Sequence, residues 1–260
     1  MDFLDAHNHL EDERLLPFLP AIWRELDQQP IRKLVVNGSC EEDWPDVLRL
    51  AKSDSRVLPS FGYHPWYVKD RTPRWKEELI SYLDQIPSAI GEIGLDRWIE
   101  NYDMKAQTEA FTWQLRLAAE RNLPASIHCL KAWGLLLEIL QREPRPACGF
   151  LLHSYGGPKE MIPEFVKLGG YFSFPGYFAH ERKQRQRETF RHVPSDRFLI
   201  ETNAPDQILP AHLNRFPLPD NLNHPANIAA IYQYLSNFLE LDLPTLASQV
   251  QKNFHSLFGS

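Results

Sequence analysis

Short apolar runs alternate along the chain with longer stretches in which apolar residues repeat at helical spacing. There are eight such runs: DFLDAH (2–7), KLVVNGS (33–39), VLPSFGYHP (57–65), AIGEIGLD (89–96), LPASIHC (123–129), CGFLLHS (148–154), GGYFSFPG (169–176) and RFLIETNAP (197–205). Most of them end in polar residues or glycine. Short strands that alternate with helical segments are typical of parallel βα units.

The segments between the runs predict helices. Apolar residues recur at helical spacing in 79–83, 111–119 and 135–140, and again through 227–258. Eight βα units in 260 residues match the size of a closed barrel, so we predict an α/β fold, a (β/α)8 TIM barrel forming a single domain over 1–260. An open doubly wound sheet is the alternative, but it more often carries a glycine-rich first turn, and this sequence has none.

Composition narrows the function classes. The net charge is −6 and the sequence pI is about 5.9, which argues against a protein that binds DNA through a basic surface. Bound metal ions would add local positive charge that residue counts omit. The three cysteines are widely spaced, the N-terminus lacks the pattern of a secretion signal, and no run approaches 18 apolar residues. We therefore expect a soluble cytoplasmic protein without membrane attachment, and a monomer or weak oligomer.

Polar residues with metal-binding chemistry stand in or at the ends of the predicted strands. They are His7, His9, His64, Glu92, His128, His153 and the triplet Glu201-Thr202-Asn203. The C-terminal ends of parallel barrel strands converge on one face, so residues 200 positions apart in the chain would meet there. A single histidine at a strand end is more often a hydrogen-bonding loop residue, and a glutamate beside glycines can be an ordinary salt-bridge partner. To account for the whole set without a shared site, these explanations would have to apply to five of the ten histidines at once.

The His-x-His pair has a specific geometry. Side chains two residues apart on a strand point to the same face, so His7 and His9 can reach one ion. Imidazole and carboxylate ligands suit zinc, manganese, iron or nickel better than magnesium. Histidines on separate strands with a glutamate between them are what a bridged two-metal site requires.

Seven motifs in order give a family resemblance. DAHNH, GYHP, GEIGLD, SIHC, HSYGG, ETNAP and KNFHSLFG, spread from Asp5 to Phe258, resemble the motifs of the TatD family of metal-dependent hydrolases. The resemblance implies a (β/α)8 barrel and a deoxyribonuclease activity directed at the 3′ ends of DNA. It also implies two divalent ions as cofactors, with zinc, manganese, nickel or magnesium as candidates, and DNA or a small phosphodiester as the substrate.

The resemblance also implies a role for each matching residue. His7, His9 and position 203 correspond to ligands of a first ion, Glu92 to the carboxylate that bridges both ions, and His128 and His153 to ligands of a second ion. His64 corresponds to a histidine beside the metals that contacts a phosphate, and Glu92, Asn203 and His64 form the implied catalytic set. For substrate binding we expect His64, Lys131 as a cation for a phosphate, and Trp66 as a surface on which a base stacks.

The chain departs from the family pattern at three places. The family reads ETDAP where this chain has Asn203, HCRDA where it has Leu130 and Lys131, and often a glutamate where it has His224. Asparagine offers a neutral carbonyl oxygen but cannot accept a proton. We therefore predict one tightly held ion at Glu92, His128 and His153, a weaker ion at the first site, and low activity on DNA.

The sequence is also compatible with other functions. The same barrel could hydrolyse an ester, amide or lactone, since related barrels share a metal site and differ in their loops. A second alternative is a binding protein that has kept the fold and lost catalysis, and Asn203 is the only argument for it. Alternatively, Asn203 is neutral drift at a site where Glu92 and a water suffice.

Overall fold

Every apolar run forms a strand in the computed structural model, which describes residues 1–259. The strands are β1 (Phe3–Asn8), β2 (Ile31–Asn37), β3 (Val57–Phe61), β4 (Ala89–Asp96), β5 (Ala125–Leu130), β6 (Phe150–Leu152), β7 (Gly170–Pro175) and β8 (Phe198–Glu201). All neighbouring pairs are parallel, and the order in the sheet is the order in the chain. The TIM-barrel prediction is confirmed.

Helices separate the strands and cover the outside of the sheet. They are α1 (Leu19–Asp27), α2 (Trp44–Ser53), α3 (Trp75–Leu83), α4 (Met104–Arg121), α5 (Trp133–Arg142), α6 (Ile162–Lys167), α7 (Gln184–Phe190), α8 (Ile228–Leu239) and α9 (Leu243–Phe258). The apolar face of α4, with Phe111, Leu115 and Ala118, is buried. Within residues 1–259, none of the helices is both long and apolar enough to cross a membrane.

The two ends of the sheet meet at a seam between β8 and β1. The backbone N–H of Asn203 donates to the carbonyl of His7 at 3.0 Å, and that of His9 donates to the carbonyl of Ala204 at 2.7 Å. An open doubly wound sheet would leave these two edges apart. The contact brings the start of the chain and the segment after β8 to the same face of the barrel.

Asp5 strengthens this seam from within the core. Its buried carboxylate accepts hydrogen bonds from the backbone N–H of Thr202 at 2.9 Å and from the Thr202 hydroxyl at 2.5 Å. Burial raises the pKa of Asp5 to about 7, although the Thr202 donors favour the ionised form. The side chain therefore fixes the segment that carries Asn203 against β1.

Close packing of β4 against β5 requires a glycine. Gly94 pairs in register with His128, and a Cβ added at Gly94 would stand 2.0 Å from the His128 carbonyl oxygen. Its φ of +153° is also one that residues with side chains rarely adopt. Gly94 thus lets β5 lie close enough to present His128 beside Glu92.

We predict that Gly94→Ala lowers the free energy of unfolding by about 2–4 kcal/mol, because the added methyl must displace backbone in the core. Urea unfolding midpoints measure the change. Gly134→Ala is the matched control, since a Cβ at this helical glycine meets nothing within 4 Å. The control should be neutral or more stable by about 0.5 kcal/mol. Equal midpoints for the two variants would contradict this view of the β4–β5 contact.

Candidate metal centre

Five histidines from four strands and their following loops converge on the carboxylate of Glu92. Glu92 lies in β4, His7 in β1 and His128 in β5, whereas His9, His64 and His153 follow β1, β3 and β6. On Oε2 of Glu92, His7 Nε2 lies at 3.2 Å and His9 Nε2 at 3.1 Å; on Oε1, His64 Nε2 lies at 3.2 Å, His128 Nδ1 at 3.0 Å and His153 Nε2 at 2.8 Å. The carboxylate thus faces one histidine pair with one oxygen and three histidines with the other.

The outward nitrogens of these rings meet hydrogen-bond acceptors. His9 Nδ1 lies 2.7 Å from the carbonyl oxygen of Asn37, and His128 Nε2 lies 2.8 Å from Oδ2 of Asp96. Neither acceptor carries a hydrogen, so the ring nitrogen must donate. In the neutral rings, the remaining lone pairs of His9 and His128 then point at Glu92.

The inward nitrogens are crowded together as acceptors. His7 Nε2 and His9 Nε2 are 3.3 Å apart beside one oxygen of Glu92, and His128 Nδ1 and His153 Nε2 are 3.3 Å apart beside the other. Lone pairs at such distances repel one another unless a cation lies between them. One proton removes the repulsion between one pair of nitrogens, whereas one divalent ion can bind several of these nitrogens at the same time.

The donor set therefore fits divalent metal ions. Two groups have ligand atoms within 4.8 Å of one another, His7–Glu92–His153 and His64–Glu92–His128. In the described chain, the buried side-chain oxygens of Asn37 and Asn203 also have no hydrogen-bond partner. Imidazole nitrogens, a carboxylate and spare amide oxygens suit zinc, manganese or nickel.

Charge in the metal-free centre is distributed unevenly. Burial opposes ionisation of Glu92, but His153, His64 and His7 outweigh it and hold the pKa of Glu92 well below its usual range. Burial would also lower the pKa of His153, but Glu92 raises it to about 9. Burial dominates at His7 and lowers its pKa to about 4. At pH 7, His153 is therefore protonated and His7 neutral.

His64 differs from His9 and His128 in that its outward nitrogen accepts a hydrogen bond instead of donating one. Its Nδ1 accepts the backbone N–H of Trp66 at 3.2 Å, so the hydrogen of the neutral ring is on Nε2. Burial lowers the pKa of His64 to about 4, which keeps the ring neutral at pH 7. Its Nε2–H then donates toward Oε1 of Glu92. Ligation of a metal by Nε2 would require the other tautomer and the loss of the Trp66 hydrogen bond.

The other predicted residues lie around this cluster. Asn203 is 7 % exposed, has a φ of 53° and is tied to His7 through its backbone. The ring of Trp66 lies 5.0 Å from that of His64 and 6.2 Å from that of His128, between ring centroids. Lys131 is exposed just beyond β5, with a φ of 55°.

Two residues beside the histidines, Asp96 and Ser126, were missed in the sequence, and a third, Glu201, was named there only as part of the Glu201-Thr202-Asn203 triplet. Asp96 contacts His128, the Ser126 hydroxyl lies 2.8 Å from His7 Nδ1, and the buried carboxylate of Glu201 lies 3.7 Å from His153 Nδ1. Glu201 in turn accepts hydrogen bonds from the hydroxyls of two serines, Ser154 and Ser173. A signal was available, because Asp96 and Ser126 stand at even spacing from Glu92 and His128, and hence on the same strand face.

The family is decided by a match over nearly the whole chain. The family model described as TatD related DNase matches residues 4–259. The chain belongs to the TatD family. It is 31% identical over 236 residues to the 3′-5′ ssDNA/RNA exonuclease TatD of Shigella flexneri, with 88% of each chain covered. It is 27% identical over 257 residues to the metal-dependent hydrolase YabD of Bacillus subtilis, with 98% of each covered.

A solved TatD homologue has the same fold. The structure of YjjV from Escherichia coli K12 superposes with a TM-score of 0.90 at 24% identity, covering 99% of this chain and 98% of that one. The family match and the relatives make the protein a metal-dependent hydrolase of the TatD family, and the superposition confirms its TIM-barrel fold. Its histidine and glutamate groups could hold a metal ion.

We predict that zinc binding to the chelator-treated protein at pH 7 releases protons. His153, with a pKa of about 9, must lose its proton before Nε2 can ligate. Burial would lower the pKa of His9, but Glu11 and Glu92 hold it well above its usual value, so His9 must lose a proton as well. Affinity should rise about tenfold per pH unit for each proton displaced, until these histidines are already neutral before zinc binds. Titration calorimetry in buffers of different ionisation enthalpy counts the protons.

His255→Gln serves as a control, because His255 is exposed on α9. The proton count should be unchanged in this variant. A binding enthalpy that is independent of the buffer at pH 7 would contradict the charge distribution described for the centre.

Proposed function

We propose that this TatD-family protein is a metal-dependent phosphodiesterase that acts on DNA as a 3′-exonuclease-like deoxyribonuclease. Two divalent ions are its cofactors in this proposal, and the first is held less tightly than the second. The observation that carries the proposal is the division of the inward imidazole nitrogens between the two oxygens of Glu92. The exonuclease name of the Shigella relative supports the choice of substrate.

The first ion is assigned to the Oε2 side of Glu92 and the second to the Oε1 side. His7, His9 and Asn203 join Glu92 at the first ion, and His128 and His153 join it at the second. When bound, such ions polarise a phosphate oxygen and lower the pKa of water toward 7. The outer partners of the histidines, Asn37 and Asp96 among them, keep the ring lone pairs aimed inward.

Three residues are assigned to the substrate. His64 is neutral at pH 7 with a hydrogen on Nε2, which is the form that can donate to a phosphate oxygen. Trp66 presents a ring that is 45 % exposed and held beside the centre. Lys131 is exposed at the end of β5 and supplies a cation for the phosphate backbone.

Asn203 sets the strength of this activity. Two divalent ions and the carboxylate of Glu92 would leave the centre near +3, rather than the +2 expected with an aspartate at position 203. The higher charge still attracts an anionic substrate to an acidic protein. The amide cannot take a proton, and general-base catalysis is typically worth roughly 10²–10⁴-fold in rate.

We predict that Asn203→Asp increases the rate of metal-dependent cleavage of single-stranded DNA by at least about tenfold. The affinity for the weaker ion should rise as well, because the new carboxylate adds an anionic ligand. Cleavage of a labelled oligonucleotide and metal content by elemental analysis give the two readouts. A panel of esters and lactones assayed in parallel tests the other hydrolase chemistry.

Asn221→Asp is the matched control, since Asn221 is exposed and has a comparable left-handed φ of 57°. The control adds the same charge at an exposed residue that is not a proposed ligand and should change neither readout. If Asn203→Asp leaves both metal content and cleavage rate as they are, the assigned role of position 203 is wrong. Faster turnover of an ester than of DNA would replace the proposed substrate class.

A further inference from the structure

Large exposed aromatic side chains cluster in two neighbouring loops beside the candidate metal centre. Trp66 and Tyr67 follow β3, and Trp98 and Tyr102 follow β4. Their exposed fractions are 45 % and 40 % after β3, and 61 % and 44 % after β4. The loop after β3 contains His64, which contacts Glu92, and the loop after β4 begins after Asp96, which contacts His128.

One carboxylate holds the two tryptophan segments together. Oδ2 of Asp96 accepts the indole N–H of Trp66 at 2.7 Å, and Oδ1 accepts the backbone N–H of Trp98 at 2.5 Å. Asp96 also holds His128, through Oδ2 at 2.8 Å. The aromatic surface therefore starts at the centre with Trp66 and continues outward to the Trp98 segment.

Two exposed cations stand on the same part of the rim. Arg97 precedes Trp98, and its backbone N–H donates to the carbonyl of Leu130, the residue before Lys131. Across residues 1–259, neither Arg97 nor Lys131 has a carboxylate within salt-bridge distance, whereas Arg14, for comparison, is paired with two aspartates. Exposed aromatic rings with unpaired cations are the combination that single-stranded nucleic acids bind.

We propose that Trp98 and Arg97 form a subsite for an unpaired nucleotide next to the phosphate that is cleaved. The subsite rests on the proposed nuclease function and adds to it the residues that recognise the flanking strand. The base stacks on Trp98 while Arg97 pairs with a neighbouring phosphate. Bases in a duplex are already stacked and paired, so this subsite selects for single strands.

The test combines a protein variant with altered substrates. Cleavage is measured for a single-stranded DNA oligonucleotide and for versions with one abasic residue at each of the three 3′-terminal positions. In the wild-type protein, one abasic position should lower kcat/KM by about 5- to 150-fold, which corresponds to stacking of one base. Trp98→Ala should lower kcat/KM for the intact oligonucleotide by a similar factor. The two losses should not multiply when combined, and Trp98→Phe should recover most of the activity.

Two further variants separate the subsite from general damage. Arg97→Gln should reduce the dependence of log KM on log salt concentration by about 0.7, as expected for one phosphate contact on a single strand. Leu241→Ala is the matched exposed apolar control, in the connection after α8. The side-chain amide of Asn223, shortly before α8, donates to the carbonyl of Thr202, so α8 begins close to the segment that carries Asn203. The twelve residues of α8 span about 18 Å, and Leu241 lies beyond the far end of this helix.

The outcomes distinguish the subsite from the nuclease itself. If the wild-type protein cleaves the oligonucleotide and Trp98→Ala cleaves it equally well, the subsite is wrong and the nuclease stands. The subsite would also be wrong if, at every abasic position, the fold-losses in kcat/KM from the abasic residue and from Trp98→Ala multiplied. If the wild-type protein cleaves no oligonucleotide with any of the candidate metals, the proposed function fails and the subsite fails with it.

Discussion

The contact on which this structure depends is that between the carboxylate of Glu92 and five imidazole rings. The inward nitrogens lie 2.8–3.2 Å from its two oxygens, in a site from which water is largely excluded. His64 donates its Nε2–H to this carboxylate, and the acceptors among the remaining nitrogens repel one another unless cations lie between them. Protons serve in the metal-free protein, as the raised pKa of His153 shows, and divalent ions can replace them.

The barrel supplies what this contact requires. Gly94 lets β5 approach β4, and Asp5 ties the segment after β8 to β1, so that residues from both ends of the chain share one face. Around the histidines, Asp96 orients the ring of His128 through a hydrogen bond, and the buried carboxylate of Glu201 lies beside His153. Asp96 also fixes Trp66, so the same carboxylate orients a proposed metal ligand and a proposed substrate surface.

Much of the fold and of the cluster could be predicted from the sequence, because both follow from strand periodicity. All eight runs are strands, and polar residues at their ends meet because the strands are parallel. The tautomer of His64 could not be predicted, since it depends on a hydrogen bond from the Trp66 backbone. Even spacing places Asp96 on the same strand face as Glu92, but its contact with His128 on the next strand cannot be seen in a single motif. The position of Trp98 could not be predicted from strand or helix periodicity, because Trp98 lies in a loop.

The assignment of two unequal ions to the two sides of Glu92 is the central claim, and anomalous diffraction from zinc-loaded crystals tests it most directly. The expected result is two peaks, a stronger one beside Oε1 with His128 and His153 and a weaker one beside Oε2 with His7 and His9. Zinc that does not contact Glu92, or a stronger peak on the Oε2 side, would contradict the claim.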